Sequence, residues 1–117
     1  MWILNLSLKK KWFQMIESGI KKEEYRELKP FWMRRIFDCP KGLSICVWNR
    51  QRCSSCIRLC PMSARSFSHV RFRNGYTKQT MTFEIIDINI GFGNPTWGAP
   101  KDKVIIIKIG KQCNIKQ

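Results

Sequence analysis

The side chains best suited to chemistry lie together in the stretch SGIKKEEYRELKP, from Ser18 to Pro30. Seven of these thirteen residues carry a formal charge, and the two signs are interleaved. On a solvated helix face such charges form exposed pairs worth about 0.3 kcal/mol each. On a strand that lines a cleft, the same lysines and glutamates are the leading candidates for a functional site. The conformation of this stretch therefore decides its importance.

A predicted helix ends just before this stretch. Between Lys9 and Ser18 the apolar residues follow the i, i+1, i+4 spacing of a buried helix side, and they are Trp12, Phe13 and Ile16. Ser7 is a candidate N-terminal cap, and Gly19 stands where a left-handed C-terminal cap is expected. The sequence therefore predicts that this helix stops at Gly19 and does not run on through the charged residues.

We accordingly predict a strand over Ile20–Leu28, with a continued helix as the alternative. Neither face of such a strand is uniformly apolar, so one side must contact water or line a groove. Successive side chains alternate across a strand, so Lys21 and Glu24 would point to opposite faces. A site that uses both residues therefore needs a twist, a bulge or a turn between them.

At 117 residues the chain is expected to form one domain, residues 1–117. Trp2–Leu6 predicts a short first strand, and Pro30 fits the first turn of a second helix, PFWMRRIF, which is expected to present Phe31, Trp32 and Ile36 toward a core. No apolar run is long enough to span a membrane. The N-terminal charges follow the apolar run instead of preceding it, unlike those of a secretory signal. A cytoplasmic protein is therefore expected.

The C-terminal half is predicted to contain three strands. The dipeptide Asn74-Gly75 is a strong hairpin signal, since both residues tolerate positive φ. In the following strand, TMTFEIIDINI, the apolar phase changes at Ile85-Ile86, which predicts a β-bulge. The run KVIIIKIG predicts a strand buried on both sides. Together with the two helices, these strands predict an α+β domain.

The charge balance points to a polyanionic partner. Twenty-two lysines and arginines against eight acidic residues give a formal net charge of +14, and no acidic residue occurs from Cys39 to Phe83. A surface of one sign attracts polyanions by releasing their counterions and steering their approach. The composition therefore favours a nucleic-acid partner over a protein whose charge serves solubility alone.

Four cysteines lie close together in the spacing C-x6-C-x2-C-x3-C, and they are Cys46, Cys53, Cys56 and Cys60. Unligated reduced thiols are the favoured interpretation, so no cofactor is expected. A structural zinc ion held by the four thiolates is the first alternative, ahead of an iron–sulfur cluster. His69 and Cys113 lie outside this group, and His69 alone is interpreted as a strand residue.

The octapeptide GIKKEEYR, Gly19 to Arg26, fits the pattern G-x-K-x-x-E-x-R that is typical of ASCH (activating signal cointegrator homology) domains. Similarity to small bacterial and phage members extends to LSLKKKWFQMIESG, LKPFWMRR, FRNGYTKQTMTFEI and the ending GNPTWGAP...VIIIKIG. The resemblance covers residues 1–38 and 67–111. It leaves residues 39–66 as an atypical insert rich in cysteine and arginine.

The resemblance implies a small PUA-like β-barrel with packed helices, and a cleft beside the barrel that binds RNA or a modified nucleoside. In such a cleft, lysine and arginine bind phosphate, glutamate accepts a hydrogen bond from an exocyclic amine, and an aromatic ring stacks on an unpaired base. The residues expected to contact nucleic acid are Lys21, Glu24, Arg26, Arg73, Asn74, Tyr76, Lys78 and Trp97.

A small hydrolase acting on acylated nucleosides or RNA is the alternative function. One ASCH branch hydrolyses N4-acetylcytidine, and another is described as ribonucleolytic. The amidohydrolase branch has a nucleophilic threonine where this chain has Glu24, and a glutamate cannot form the same ester intermediate. In an enzyme the catalytic residues would be Lys21, Glu24 and Glu84, with a carboxylate that activates water. A third interpretation is an ion-paired strand in which the charges only fix the register.

Overall fold

The computed structural model describes residues 2–37 and 67–113. Its elements, in chain order, are β1 (Trp2–Leu8), α1 (Lys10–Glu17), β2 (Glu23–Arg26), α2 (Pro30–Phe37), β3 (Phe67–Asn74), β4 (Thr80–Gly91), a 3-10 turn (Pro95–Trp97) and β5 (Val104–Cys113). The predicted α+β class is confirmed. The insert at residues 39–66 lies outside the described residues, and so do the four cysteines that are considered as alternative zinc ligands, Cys46, Cys53, Cys56 and Cys60.

All five strands belong to one sheet in the order β1-β3-β4-β5-β2. The β1–β3 pair is parallel, and the other three pairs are antiparallel. The sheet curls into a half-barrel, and the two helices accompany it. β5 lies between β4 and β2 and is buried at four consecutive residues, from Val104 to Ile107. This burial confirms the prediction drawn from its β-branched run.

The main core is shared by the sheet and the two helices. It contains alternate apolar residues of β1 and β3 together with residues of both helices, among them Leu4, Leu6, Val70, Phe72, Phe13, Ile16, Met33 and Ile36. A smaller cluster joins Tyr25 to Val104 and Ile106, with Trp97 and Ala99 packed against it. Since Ile105 and Ile107 belong to the main core, alternate residues of β5 bury its two faces in different clusters.

Three local predictions are corrected. Ser7 does not cap α1, because β1 runs on to Leu8 and Lys9 holds the cap position without a side-chain cap hydrogen bond. The strand predicted over Ile20–Leu28 is only Glu23–Arg26, since the residues before it form the exit from α1. The hairpin predicted at Asn74-Gly75 forms between β3 and β4, but its loop is longer than the short turn that this dipeptide indicates, since β3 ends at Asn74 and β4 begins at Thr80.

Other local predictions are confirmed. α2 begins at Pro30, and Gly19 adopts a positive φ of 85° immediately after α1. The β4–β5 register shifts between Phe83 and Ile85 and again between Ile85 and Asp87, where the change of apolar phase predicts a bulge. No helix in the two described ranges is both long and apolar enough to cross a membrane.

Two glycines with positive φ are expected to differ in their tolerance of a side chain. A Cβ at Gly98 (φ 96°) would lie 2.9 Å from Cζ2 of Trp12, whereas a Cβ at Gly19 would meet nothing within 4 Å. Gly98→Ala should therefore lower the free energy of unfolding by about 3 kcal/mol, through backbone strain and crowding together. Gly19→Ala should cost about 1 kcal/mol from backbone strain alone. Urea denaturation measures both values, and equal losses would contradict the packing of Gly98 on Trp12.

Candidate functional site

The site begins at the exit from α1, which turns the chain back on the helix. The amide of Ser18 donates to the carbonyl of Gln14 at 3.0 Å, and after Gly19 the amide of Lys21 donates to the carbonyl of Met15 at 3.0 Å. Lys21 therefore precedes β2 instead of alternating along it. A twist, a bulge or a turn between Lys21 and Glu24 is required if both are to serve one site. This turn lets the two side chains face the same side.

Glu24 is the centre of a buried ion network. Its Oε1 lies 3.0 Å from Nζ of Lys21, and its Oε2 lies 2.7 Å from Nη1 of Arg26. Lys21 is 2% exposed and Glu24 is 4% exposed. A buried carboxylate without a cationic partner would strongly destabilise the folded protein. Lys21 and Arg26 therefore both stabilise the buried charge of Glu24. The three residues singled out by the sequence pattern thus converge.

Backbone carbonyls accept further hydrogen bonds from the two cations. Nζ of Lys21 donates to the carbonyl of Trp97. Nη1 of Arg26 donates to the carbonyl of Tyr25 at 2.8 Å, and its Nη2 donates to the carbonyl of Ser7 at 3.0 Å. The network therefore ties β2 to the end of β1 and to the loop between β4 and β5. Its geometry is fixed by main-chain atoms as well as by side chains.

Aromatic rings lie against both cations. Nζ of Lys21 is 4.7 Å from the ring centroid of Trp12 and 5.1 Å from that of Tyr25. Cζ of Arg26 is 5.2 Å from the ring centroid of Trp32. These distances are within the range of cation–π attraction, which strengthens where water is excluded. The rings therefore help to keep the charged groups in a largely apolar setting.

The loop that supplies the carbonyl of Trp97 is held by its own hydrogen bonds. Oδ1 of Asn94 accepts from the amide of Thr96 at 3.0 Å and caps the 3-10 turn, and the amide of Trp97 donates to the carbonyl of Asn94 at 2.9 Å. The amide of Asn94 in turn donates to the hydroxyl of Tyr25 at 2.9 Å. Tyr25 thus connects this loop directly to β2.

Tyr25 is neutral over a wide pH range. Burial is the main cause that raises the pKa of its phenol to about 12, and the nearby carboxylates of Glu23 and Glu24 act in the same direction, whereas the hydrogen bond from the amide of Asn94 opposes the rise. The Tyr25 hydroxyl donates to Oε1 of Glu23 at 2.8 Å. A neutral phenol is therefore required for this hydrogen bond.

An open cleft of about 270 Å³ lies over the network, and its lining residues are Ser7, Leu8, Lys9, Trp12, Glu24, Tyr25, Arg26, Glu27 and Trp32. A larger groove of about 750 Å³ adjoins it and shares Tyr25, Arg26 and Glu27. The side chain of Arg26 is 16% exposed, more than Lys21 or Glu24. Arg26 is therefore the member of the network that a molecule in the cleft reaches most readily.

The predicted hairpin residues lie beside the cleft and do not line it. The amide of Gly75 donates to the carbonyl of Leu8 at 2.8 Å, which holds the turn against the end of β1. Nη1 of Arg73 donates to the carbonyl of Thr77 at 3.2 Å, and Nδ2 of Asn74 donates to Oε1 of Gln79 at 3.1 Å. The two remaining hairpin residues of the predicted set are exposed, and they are Tyr76 and Lys78.

Two other predicted residues have different surroundings from the network. The ring of Trp97 packs on the smaller cluster, so its contribution to the site is its carbonyl. Glu84 lies near Cys113 at one end of β5, whereas Glu24 pairs with Ile107. Glu84 stands opposite Gly110 of β5, about 10 Å from Ile107 along the strand, and β4 and β2 lie on opposite sides of β5, which adds about 10 Å across the sheet. The structure therefore does not bring Glu84 together with Lys21 and Glu24.

Sequence reasoning missed several residues of the cleft. The helix pattern assigned Trp12 and Trp32 to a core, and an apolar stripe does not distinguish a core contact from a cleft wall. Ser7 takes part through its carbonyl, which no side-chain pattern can reveal. Lys9 is one of several consecutive lysines, and only the fold shows which of them faces the cleft.

Comparisons of this chain with protein-family models, with curated proteins and with solved structures gave no match.

Replacing Lys21 is expected to be far more costly than replacing an exposed lysine. Lys21→Met leaves the carboxylate of Glu24 buried with one cation and should lower the free energy of unfolding by about 3 kcal/mol. Lys29→Met is the matched control, because Lys29 forms an exposed pair with Glu27 at 3.3 Å. That change should stay within about 0.5 kcal/mol. Similar losses in urea denaturation would show that Lys21 does not stabilise a buried carboxylate.

Tyr25 is expected to make stability depend on pH above 10. In the unfolded chain the phenol ionises near its ordinary value of 10.0, whereas the folded protein keeps the proton to about pH 12. The unfolded state therefore binds fewer protons in this window, and the free energy of unfolding falls as pH rises from 10 to 12. Denaturation at several pH values should show this fall in the wild type and in Tyr76→Phe. An identical fall in Tyr25→Phe would contradict the assignment.

Proposed function

We propose that this protein binds single-stranded RNA or a modified nucleoside, with a base held in the cleft above Glu24. The observation that carries the proposal is the placement of Arg26. Its guanidinium is oriented by a buried carboxylate and two backbone carbonyls, lies against a tryptophan ring and is partly exposed to an open cleft. A planar donor fixed in this way is suited to a base edge or a phosphate.

The residues of the network differ in burial, and we infer two different roles from this difference. Glu24 and Lys21 are almost inaccessible, so their role is to fix the orientation of Arg26. Of the three network residues, Arg26 is the one that contacts the ligand. Because the orientation is set before binding, less conformational freedom is lost when the ligand arrives.

The cleft has the size and walls expected for one base. Its volume of about 270 Å³ is near the lower end of the range for small-ligand sites, about 300–1,000 Å³. Trp12 and Trp32 both line it. Stacking of a base on an aromatic ring contributes about 1–3 kcal/mol and depends little on sequence. The neighbouring groove of about 750 Å³ offers room for the nucleotides that flank the bound base.

Basic side chains surround the cleft and would contact the phosphates. Lys9 lines it, and the exposed Arg73 and Lys78 lie on the hairpin that is held against the end of β1. The net charge of +14 adds attraction over longer distances. A polyanion such as RNA is therefore attracted both by the basic side chains beside the cleft and by the net charge of the whole protein.

As part of the same proposal, we infer that the chain is an ASCH domain and that its half-barrel is of the PUA-like type. These inferences are supported by the convergence of the residues that fit the sequence pattern, and by the curled sheet with its adjoining helices. The expected cytoplasmic location suits an RNA partner. Binding is favoured over hydrolysis because Glu24 is 4% exposed and each of its carboxylate oxygens already faces a cation, so a substrate and an attacking water have little access to it.

The binding proposal is tested by fluorescence anisotropy with a short labelled single-stranded RNA of mixed sequence. The affinity should fall between about 50 mM and about 200 mM salt, with a logarithmic slope of about −0.7 for each phosphate contacted. Arg26→Lys keeps the charge but loses the planar guanidinium, so the affinity should fall about tenfold or more. Unchanged affinity at the two salt concentrations, or in Arg26→Lys, would overturn the proposal.

Two neighbouring lysines provide a matched control for the cleft. Lys9 lines the cleft, whereas the exposed Lys10 does not belong to its lining. Lys9→Ala should reduce both the affinity and the salt slope, the latter by about 0.7. Lys10→Ala removes the same charge and should have a smaller effect. Equal effects would show that RNA binds through general attraction and not at the cleft.

A further inference from the structure

A second group of chemically capable side chains lies at the end of the sheet where β5 ends. His69 of β3, Glu84 of β4 and Cys113 of β5 each offer one ligand atom, and these atoms all lie within 4.8 Å of one another. We propose that these three residues bind a Zn²⁺ ion. The site shares no residue with the cleft above Glu24, so its existence is independent of the proposed RNA binding.

The strand register explains how residues distant in sequence meet. His69 and Glu84 are direct partners in the β3–β4 pair, and such partners place their Cβ atoms about 5 Å apart on one face. Cys113 is the partner of Thr82, so it is a diagonal neighbour of Glu84. The register shift between Phe83 and Ile85 contains Glu84. A bulge at this point changes the direction of a side chain and can aim Glu84 at the third ligand.

The donor set is the one that zinc prefers among common biological cations. Imidazole nitrogen, thiolate sulfur and carboxylate oxygen bind Zn²⁺ at about 2.0–2.3 Å, which separates tetrahedral ligands by about 3.3–3.8 Å. The observed limit of 4.8 Å is about 1 Å wider, a difference within reach of small side-chain rotations. Magnesium and calcium require oxygen ligands and do not suit this group.

A neighbouring hydroxyl orients the imidazole. Nδ1 of His69 lies 2.8 Å from Oγ of Ser68. The tautomer that donates from Nδ1 to this hydroxyl leaves the lone pair of Nε2 for a metal. Hydrogen bonds of this kind to the second ring nitrogen are usual for metal-bound histidines. Ser68 is thus a positioning residue for the site.

The local charges are compatible with a bound dication. Thiolate and carboxylate together neutralise Zn²⁺, so the occupied site carries no net charge beside Arg71, whose Nε donates to Oγ1 of Thr82 at 3.4 Å. Access is also adequate, because Glu84 is exposed and His69 and Cys113 are half-buried. Three protein ligands leave a fourth position for water or another donor.

Cobalt provides the direct test, because Co²⁺ replaces Zn²⁺ and reports both geometry and ligand type in its absorption spectrum. The protein used is the full chain with serine in place of Cys39, Cys46, Cys53, Cys56 and Cys60, so that Cys113 is the only thiol. One equivalent of Co²⁺ should produce the visible bands of tetrahedral cobalt and a thiolate charge-transfer band. Zn²⁺ should displace it. Absence of these bands would overturn the proposal.

Substitutions in the same background identify the ligands. His69→Ala and Cys113→Ser should each weaken Zn²⁺ binding more than about 100-fold, and Ser68→Ala about tenfold. Glu84→Gln should also weaken it, whereas Asp87→Asn, which makes the same charge change on β4, should not. Identical affinities for Glu84→Gln and Asp87→Asn would remove Glu84 from the site.

The unmodified cysteines allow a second measurement if the serine background does not fold. Metal-free wild-type protein is titrated with Zn²⁺ against a chromophoric chelator, which counts equivalents and gives their affinities. The wild type should bind one equivalent more than His69→Ala and one more than Cys113→Ser. Equal numbers and affinities in the three proteins would overturn the proposal, whatever the other cysteines bind.

Discussion

The buried carboxylate of Glu24 is the constraint on which the arrangement around the cleft depends. A carboxylate removed from water is stable only when cations and hydrogen bonds replace its hydration. Here one oxygen meets Lys21 and the other meets Arg26, and these cations bind carbonyls of Trp97 and Ser7. The exit from α1, the end of β1 and the β4–β5 loop are therefore positioned around a single ionised group.

Much of this arrangement could be predicted from the sequence because it depends on local signals. Gly19 ends α1 through its positive φ, and a β-branched run gives the buried β5. The convergence of Lys21, Glu24 and Arg26 could be expected from the pattern that they form, provided that a turn preceded the strand. The structure supplies that turn through the hydrogen bond from Lys21 to Met15.

The remaining features depend on contacts between distant segments, which a local pattern does not contain. The carbonyl of Ser7 has no side-chain signal, and Trp12 and Trp32 follow ordinary amphipathic spacing although they line the cleft. β2 is shorter than the strand predicted over Ile20–Leu28, since the residues before Glu23 form the exit from α1 and hydrogen-bond to carbonyls of that helix. The separation of Glu84 from Glu24 is set by the registers of β4 and β2 on β5, and the proximity of Glu84 to His69 by the β3–β4 register.

The parallel pairing of β1 with β3 also has a consequence for how the chain folds. Trp2 pairs with Phe67 and Leu8 with Asn74, so both helices and β2 lie between the paired strands in sequence. Contacts of such high contact order form slowly, because a long loop must close before they are made. The entropy of closure, however, grows only logarithmically, by about 0.6 kcal/mol for each doubling of the loop. The pairing of β1 with β3 therefore affects the rate at which the chain folds more than the stability that the folded protein reaches.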